Sequence, residues 1–272
     1  MTSIDLGYEG ARIVVSGGGG AGMGAALVGK LTAFGAEVHV LDLKAPDTDT
    51  GAVFHATDLK NPEAISAAAA KIGGPVTHLF NCVGVPSNKT SNLDTVLINF
   101  VGVRHLTEAV VPYIQPGGSV TTIASQAGTG WMRNVETLLP LVRSERFDGA
   151  LEWLEKHPDE IAQAYVASKE AAVIWTQYAA VALAEKGIRL NCTMPGPTDT
   201  PMTAEFEAAA GKDFWDAFPI PLGRPATADE QANVVLFLGS SAASCVTGSP
   251  VLTDGGTIGG VFTGLIDMPF PH

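Results

Sequence analysis

The run Arg12-Ile-Val-Val-Ser16 passes directly into Gly17-Gly-Gly-Gly-Ala-Gly-Met-Gly24, and the next residues, Ala25 to Phe34, have helical composition up to the stop signal Gly35. An apolar strand that breaks into glycines and then into a helix suits a phosphate group. Glycine permits the tight turn and lets backbone N–H groups approach a pyrophosphate at the helix N-terminus. Gly18, Gly22 and Gly24 fit G-x-x-x-G-x-G, with Met23 between the last two. A second apolar run, Val38 to Leu41, ends at Asp42 and Leu43, which completes a strand, loop, helix, strand unit. Asp42 falls about 20 residues past the glycines, where a carboxylate accepts hydrogen bonds from adenosine ribose hydroxyls and repels a 2′-phosphate. The expected cofactor is therefore NAD rather than NADP, with Lys44 placed to offset part of that repulsion.

The alternation continues outward. Strand expectations are 53–55, 76–80, 119–123, 188–193 and 250–252, and between them helices are expected over 62–71, 93–113, 159–186 and 228–238. Short apolar strands separated by helices point to an α/β fold, a Rossmann-type doubly wound parallel sheet covered on both faces. No linker or composition break divides residues 1–272, so a single domain is expected. The net charge of −12 argues against nucleic acid or anionic membrane partners, which select basic patches. No apolar stretch reaches the ~20 residues of a membrane span, and residues 1 to 10 do not read as a leader, so a cytoplasmic protein is expected. Cys82, Cys192 and Cys245 have no metal-ligand spacing and read as buried reduced thiols.

Tyr165 and Lys169 stand four residues apart in a helical stretch and so share one helix face, where an ammonium can favour the phenolate. Taken alone such a pair is also an ordinary solvated helix contact. In company with a dinucleotide fold it supplies what carbinol oxidation requires, a proton acceptor beside a cofactor that takes the hydride.

Several motifs now fall into one order: the glycine loop, Asp58-Leu59, Asn81-Cys-Val-Gly84, Asn99 in Ile-Asn-Phe-Val-Gly, Ser125 in Ile-Ala-Ser-Gln-Ala-Gly, Tyr165-x-x-x-Lys169, Pro195-Gly196 with Thr198, and Asp254-Gly-Gly. In this order they resemble the short-chain dehydrogenase/reductase family over nearly the whole chain. The resemblance implies that Tyr165 is the acid/base, that Ser125 binds the substrate oxygen, and that Lys169 lowers the tyrosine pKa and binds the nicotinamide ribose. It further implies that Asn99 supports a proton relay through the lysine. Asp58 and Leu59 would border the adenine, Asn81, Val83 and Gly84 the cofactor floor, and Pro195, Gly196 and Thr198 the nicotinamide.

Two departures stand out. Ser16-Gly17 lies one residue too far from Gly22 for the family's usual loop, so either Gly17 takes the threonine position or the loop carries an extra residue. The 39 residues between Ser125 and Tyr165 also exceed the family's usual length of about a dozen, and excess of that size is more often a functional lid or interface than idle loop. Within this insertion, residues 131–158, two amphipathic helices are expected over 134–143 and 148–157, and it resembles one in the bacterial 3α-hydroxysteroid dehydrogenase/carbonyl reductase branch. It would close one wall of the substrate cleft and obstruct or replace a helix-on-helix dimer contact, leaving an interface near Leu252 for a dimer or tetramer. Met202, Phe206, Phe214, Trp215 and Phe218 lie where relatives close over substrate, which implies an apolar alcohol or ketone: a hydroxysteroid, a terpenoid alcohol or an alicyclic diol. A wider Tyr–Lys separation sets enoyl reductases apart, and a substantial C-terminal substrate domain sets sugar-nucleotide epimerases apart. The alternative from another class is a non-catalytic dinucleotide sensor or scaffold on the same fold.

Overall fold

The computed structural model describes residues 6–267. β1 (Arg12–Ser16), β2 (Glu37–Asp42), β3 (Val53–Ala56), β4 (Val76–Asn81), β5 (Ile114–Ile123), β6 (Arg189–Pro195) and β9 (Pro250–Thr253) form one sheet in the order β3-β2-β1-β4-β5-β6-β9. Every pairing is parallel. β7 (Thr198–Asp199) and β8 (Ala226–Thr227) pair separately. The central strands are buried almost residue for residue, as in β1, β4 and β6, because helices cover both faces. One face packs α1 (Met23–Ala33) and α10 (Ala228–Gly239), with Leu27, Leu31, Val235 and Leu236 against Val15 and Val40. The other face packs α2 (Pro62–Ile72), α4 (Val103–Val110) and α7 (Ala164–Ala184), with Ile65, Leu106 and Val173 in its core.

The expected helix over 93–113 is divided. It runs as α3 (Asn92–Val96), a π-helical segment Leu97–Gly102, α4, and a 3-10 turn at Val111–Tyr113, where Pro112 has no N–H to continue the ladder. The widened segment carries Asn99, and such bulges commonly occur at functional positions. The expected helix over 159–186 likewise splits into a 3-10 turn, Asp159–Ile161, and α7. β5 starts earlier than expected, at Ile114, because Ile114 pairs with Val76 across a register irregularity that Pro116, Gly117 and Gly118 conceal in the sequence.

The insertion forms α5 (Trp131–Arg143) and α6 (Arg146–Lys156). Leu138, Leu141, Val142, Phe147 and Leu154 are buried in the same core as Phe100, Ala171 and Ile174, and half-buried Leu139 and Trp153 pack against it. The two helices therefore dock on α7 and the π-helical segment of their own chain, leaving Tyr178 and Val181 of α7 exposed. Arg104 of α4 holds the junction between them. Its side chain is 1% exposed and its guanidinium donates to Leu141 O at 3.1 Å, Ser144 Oγ at 3.0 Å and Arg146 O at 2.9 Å. A cation at a helix C-terminus meets carbonyls that have no partner in their own helix. No pattern in the sequence singles this arginine out.

Replacing Arg104 with Met keeps the stem but removes the donors to Leu141 O, Val142 O, Ser144 Oγ and Arg146 O and the ion-pair partner of Glu108. Arg104→Met is expected to destabilise the fold by about 2–4 kcal/mol, read as a lower midpoint in urea at unchanged slope.

Candidate active site

Two adjoining clefts open at the carboxyl edge of the sheet. The first, of about 280 Å³, lies over the start of α1, bordered by Gly22, Met23 and Gly24, by Asp42 and Leu43, by Asp58 and Leu59, and by Val83 and Gly84. The second, of about 490 Å³, is bordered by Ser125 and Tyr165 and by Pro195, Gly196 and Thr198. Met23, Thr200 and Met202 line both, so the clefts are continuous.

The glycine loop leaves β1 at Gly17, which has φ 78° and lies so close to β4 that a Cβ there would fall 2.6 Å from Val83 N. A Cβ on Gly24 would fall 2.1 Å from Gly17 O, so α1 seats directly on the turn. Gly17 thus makes the first turn, a role that the G-x-x-x-G-x-G reading missed. Gly18 lies behind the loop, against Val28 and Val40, and does not border the cleft. Gly22 N-caps α1 with no side-chain cap, and no acidic residue stands in the first turn, which suits an anion there. Asp42 closes the far end, accepting Gly19 N–H at 2.9 Å and Lys44 N–H at 3.3 Å. Its two oxygens retain acceptor capacity for ribose hydroxyls. Lys44 turns its ammonium to Asp47 at 3.0 Å.

Asn81 does not border either cleft. It is buried, donating to Thr107 Oγ1 at 2.9 Å and Thr122 Oγ1 at 3.3 Å while its Oδ1 accepts from Ser16 Oγ at 3.3 Å. Its side chain ties β1, β4, β5 and α4 together, while the backbone after it, Val83 and Gly84, borders the cleft. Asn99 accepts Val85 N–H at 2.8 Å and donates to Val85 O at 2.9 Å, so its amide shapes the same floor. It also donates to Ser168 Oγ at 3.3 Å on α7.

Tyr165 and Lys169 lie on one face of α7, with the ammonium 5.6 Å from the phenol ring centroid. Lys169 is 3% exposed and donates to Ile123 O at 3.0 Å. Burial lowers its pKa to about 8, opposed by the neighbouring thiols Cys192 and Cys82. A Cβ on Gly84 would stand 3.5 Å from its Nζ, which places the ammonium beneath the first cleft. Burial raises the Tyr165 phenol above its usual range, and a hydrogen bond from Ser125 opposes the rise. The lysine, expected to lower the pKa of that phenol, is spent here on a backbone carbonyl. Cys192 is buried and Cys82 half-buried, but Cys245 is exposed because it follows the short turn Ser241–Ala243 at the surface.

Of the aromatic run after Thr198, Met202, Phe206, Trp215 and Phe218 do border the second cleft, and Phe206 meets the Tyr165 ring edge-on at 5.2 Å. The side chain of Phe214 lies outside the described residues. Ile258, Val261 and Phe262 of α11 (Thr257–Phe262) supply another wall, which the sequence reading missed although apolar positions 258, 261 and 262 follow Asp254-Gly-Gly at helical spacing. The insertion reaches the same cleft through Arg133. α8 (Pro201–Ala210) and α9 (Lys212–Asp216) form the segment over its mouth. No helix among the described residues is long and apolar enough to cross a membrane.

Residues 12–136 match the family described as short chain dehydrogenase, and residues 157–257 match a related family described as enoyl-(acyl carrier protein) reductase. The chain is 32% identical over 246 residues to a coniferyl-alcohol dehydrogenase from Pseudomonas sp. (strain HR199 / DSM 7063), covering 90% of this chain and 95% of that one. It is 28% identical to a 3-alpha-hydroxysteroid dehydrogenase/carbonyl reductase from Comamonas testosteroni, again covering 90% and 95%. A solved 3-alpha-hydroxysteroid dehydrogenase from Pseudomonas sp. B-0831, complexed with NADH, superposes with a TM-score of 0.78 at 26% identity, covering 94% of this chain and all of that one. The chain belongs to the short-chain dehydrogenase/reductase family and is an oxidoreductase.

The burial of Lys169 generates a direct test. With lysine methylene carbons isotopically labelled, one resonance, lost in Lys169→Met, is expected to titrate near pH 8, well below the ordinary lysine range.

Proposed function

We propose that this oxidoreductase interconverts an apolar secondary alcohol and its ketone with NAD(H), the substrate being hydroxysteroid-like or an alicyclic or terpenoid alcohol. The observation that carries the reading is that Ser125 and Tyr165 border the same apolar cleft, which runs into the dinucleotide cleft. The uncapped start of α1 would hold the pyrophosphate, Asp42 the adenosine ribose, Asp58 and Leu59 the adenine, and Pro195, Gly196 and Thr198 the nicotinamide. When bound, NAD supplies the hydride acceptor.

The chain's own groups do the rest. Ser125 binds the carbinol oxygen, and Tyr165, as phenolate, takes its proton; in the reverse direction the phenol returns it. Lys169 beneath the site opposes the burial that raises the phenol, to the extent that its ammonium leaves the Ile123 carbonyl for the cofactor ribose. Asn99 keeps the Gly84–Val85 floor in place, from which a relay to the lysine would run. Met202, Phe206 and Phe218 exclude water and offer few polar partners, which favours an apolar substrate body. The printed names of the coniferyl-alcohol and hydroxysteroid relatives, and the NADH in the solved neighbour, support the same substrate class and cofactor. The reading includes a homo-oligomer, dimer or tetramer, with exposed Phe237 and Leu252 near the last strand as its contact. NAD reduction against a panel of hydroxysteroids, cyclohexanols and terpenoid alcohols tests the proposal; no turnover with any of them rejects it.

Tyr165→Phe keeps the ring and removes the ionisable oxygen. Turnover is expected to fall by ~10² or more while NAD affinity, measured by calorimetry, stays within a few-fold. Asp42→Ala is expected to narrow the preference for NAD over NADP, compared as kcat/KM for each cofactor at fixed substrate, because repulsion of the 2′-phosphate is relieved and a ribose partner is lost.

A further inference from the structure

Arg133 is the one charged residue bordering the second cleft among the described residues. The remaining wall is apolar, aromatic, or neutral and polar. Its guanidinium forms no ion pair among the described residues, and the carboxylate it influences is Glu170, on the side of α7 turned toward the insertion. Glu170 is already committed. It is 3% exposed, its Oε2 accepts from Asn134 Nδ2 at 2.8 Å, and its Oε1 lies so close to Gly130 that a Cβ there would fall 2.4 Å away.

That arrangement has a geometric consequence. Gly130 and Asn134 bracket the first turn of α5 and both rest on Glu170, five residues along α7 from Tyr165. The start of α5 and the reacting phenol are therefore fixed to one helix, and Arg133, itself exposed, borders from that fixed turn the cleft that Tyr165 also borders. A planar fork of donors at the border of an apolar cleft recognises a carboxylate, which it can engage with two parallel hydrogen bonds.

We propose that Arg133 makes this enzyme select alcohols and ketones whose apolar body carries a carboxylate at the end away from the reacting carbon. The inference rests on the alcohol–ketone reading above and narrows its substrate class. The cation is supplied by the insertion, so the added helices contribute specificity as well as a wall. In a chain of net charge −12, a cation at the border of the cleft also gives an anionic substrate a local attraction that the surface as a whole denies it.

The test uses matched acids and neutral esters: 4-oxocyclohexanecarboxylate against its methyl ester, and the longer 3-oxocholanoate against its methyl ester. For the pair whose length fits, the parent is expected to favour the acid in kcat/KM by about tenfold or more, mainly through KM, with the preference shrinking as salt rises. Arg133→Gln is expected to lower the acid-to-ester ratio at least tenfold, and Arg133→Lys to retain part of it. Calorimetric binding of the same pairs to the Tyr165→Phe protein with NAD reads the preference independently of turnover. Loss of turnover with a retained, Arg133-dependent acid preference would reject the reaction and keep the specificity. An acid-to-ester ratio near one for both lengths, or one unchanged in Arg133→Gln, overturns the proposal.

Discussion

The register across the middle of the sheet is the constraint on which the site depends. Ser16 stands opposite Asn81, Asn81 opposite Thr122, and Thr122 opposite Cys192, so four parallel strands are aligned at one level near their carboxyl ends. The buried side chain of Asn81 links Ser16, Thr122 and Thr107 at that level, and burial requires these polar groups to find partners within the protein. A slip of one residue would turn the core-facing side chains of a strand to the other face and leave this cluster unsatisfied. With the strands level, the glycine loop, the Cys82–Val85 floor, Ser125 and the Pro195–Thr198 segment all emerge along one edge. Parallel topology concentrates binding at that edge.

The charges around this edge are arranged by cost. Lys169 is held in the interior by one carbonyl, Ile123 O, and its lowered pKa reflects the work of burying an ammonium there. Arg104, by contrast, meets four acceptors at the α5–α6 junction and the Glu108 carboxylate at 3.5 Å, a structural part. Arg133 forms no ion pair among the described residues and borders the cleft.

The insertion shows how added length becomes structure rather than loop. Its apolar face joins the main core through Leu138, Leu141, Val142 and Leu154, so it needs no second copy to cover it. Gly130 and Asn134 seat its first turn on Glu170, and Arg104 closes its central turn. It leaves Tyr178 and Val181 on α7 exposed, with Arg143 of α5 lying over the Tyr178 ring at 5.5 Å from its centroid.

Much was determined by the sequence alone. Strand and helix alternation, the glycine turn, Asp42 at the end of β2, and the Ser125, Tyr165 and Lys169 set depend on local periodicity, local turn chemistry and fixed spacing, which a linear pattern carries. The amphipathic character of the insertion was visible for the same reason. What only the tertiary structure decided depends on partners distant in the chain. Asn81 reads as a cofactor-floor residue but is consumed by strands 41 and 65 residues away. Gly17 is the first turn because β4 passes beneath it, and the lysine meets Ile123 rather than the phenol because α7 lies over β5. The break in the helix after Val96, the early start of β5 and the burial of Arg104 likewise follow from packing against neighbours. Hydrogen-bond competition and desolvation are settled by what surrounds a group in space, and a sequence lists only what precedes and follows it.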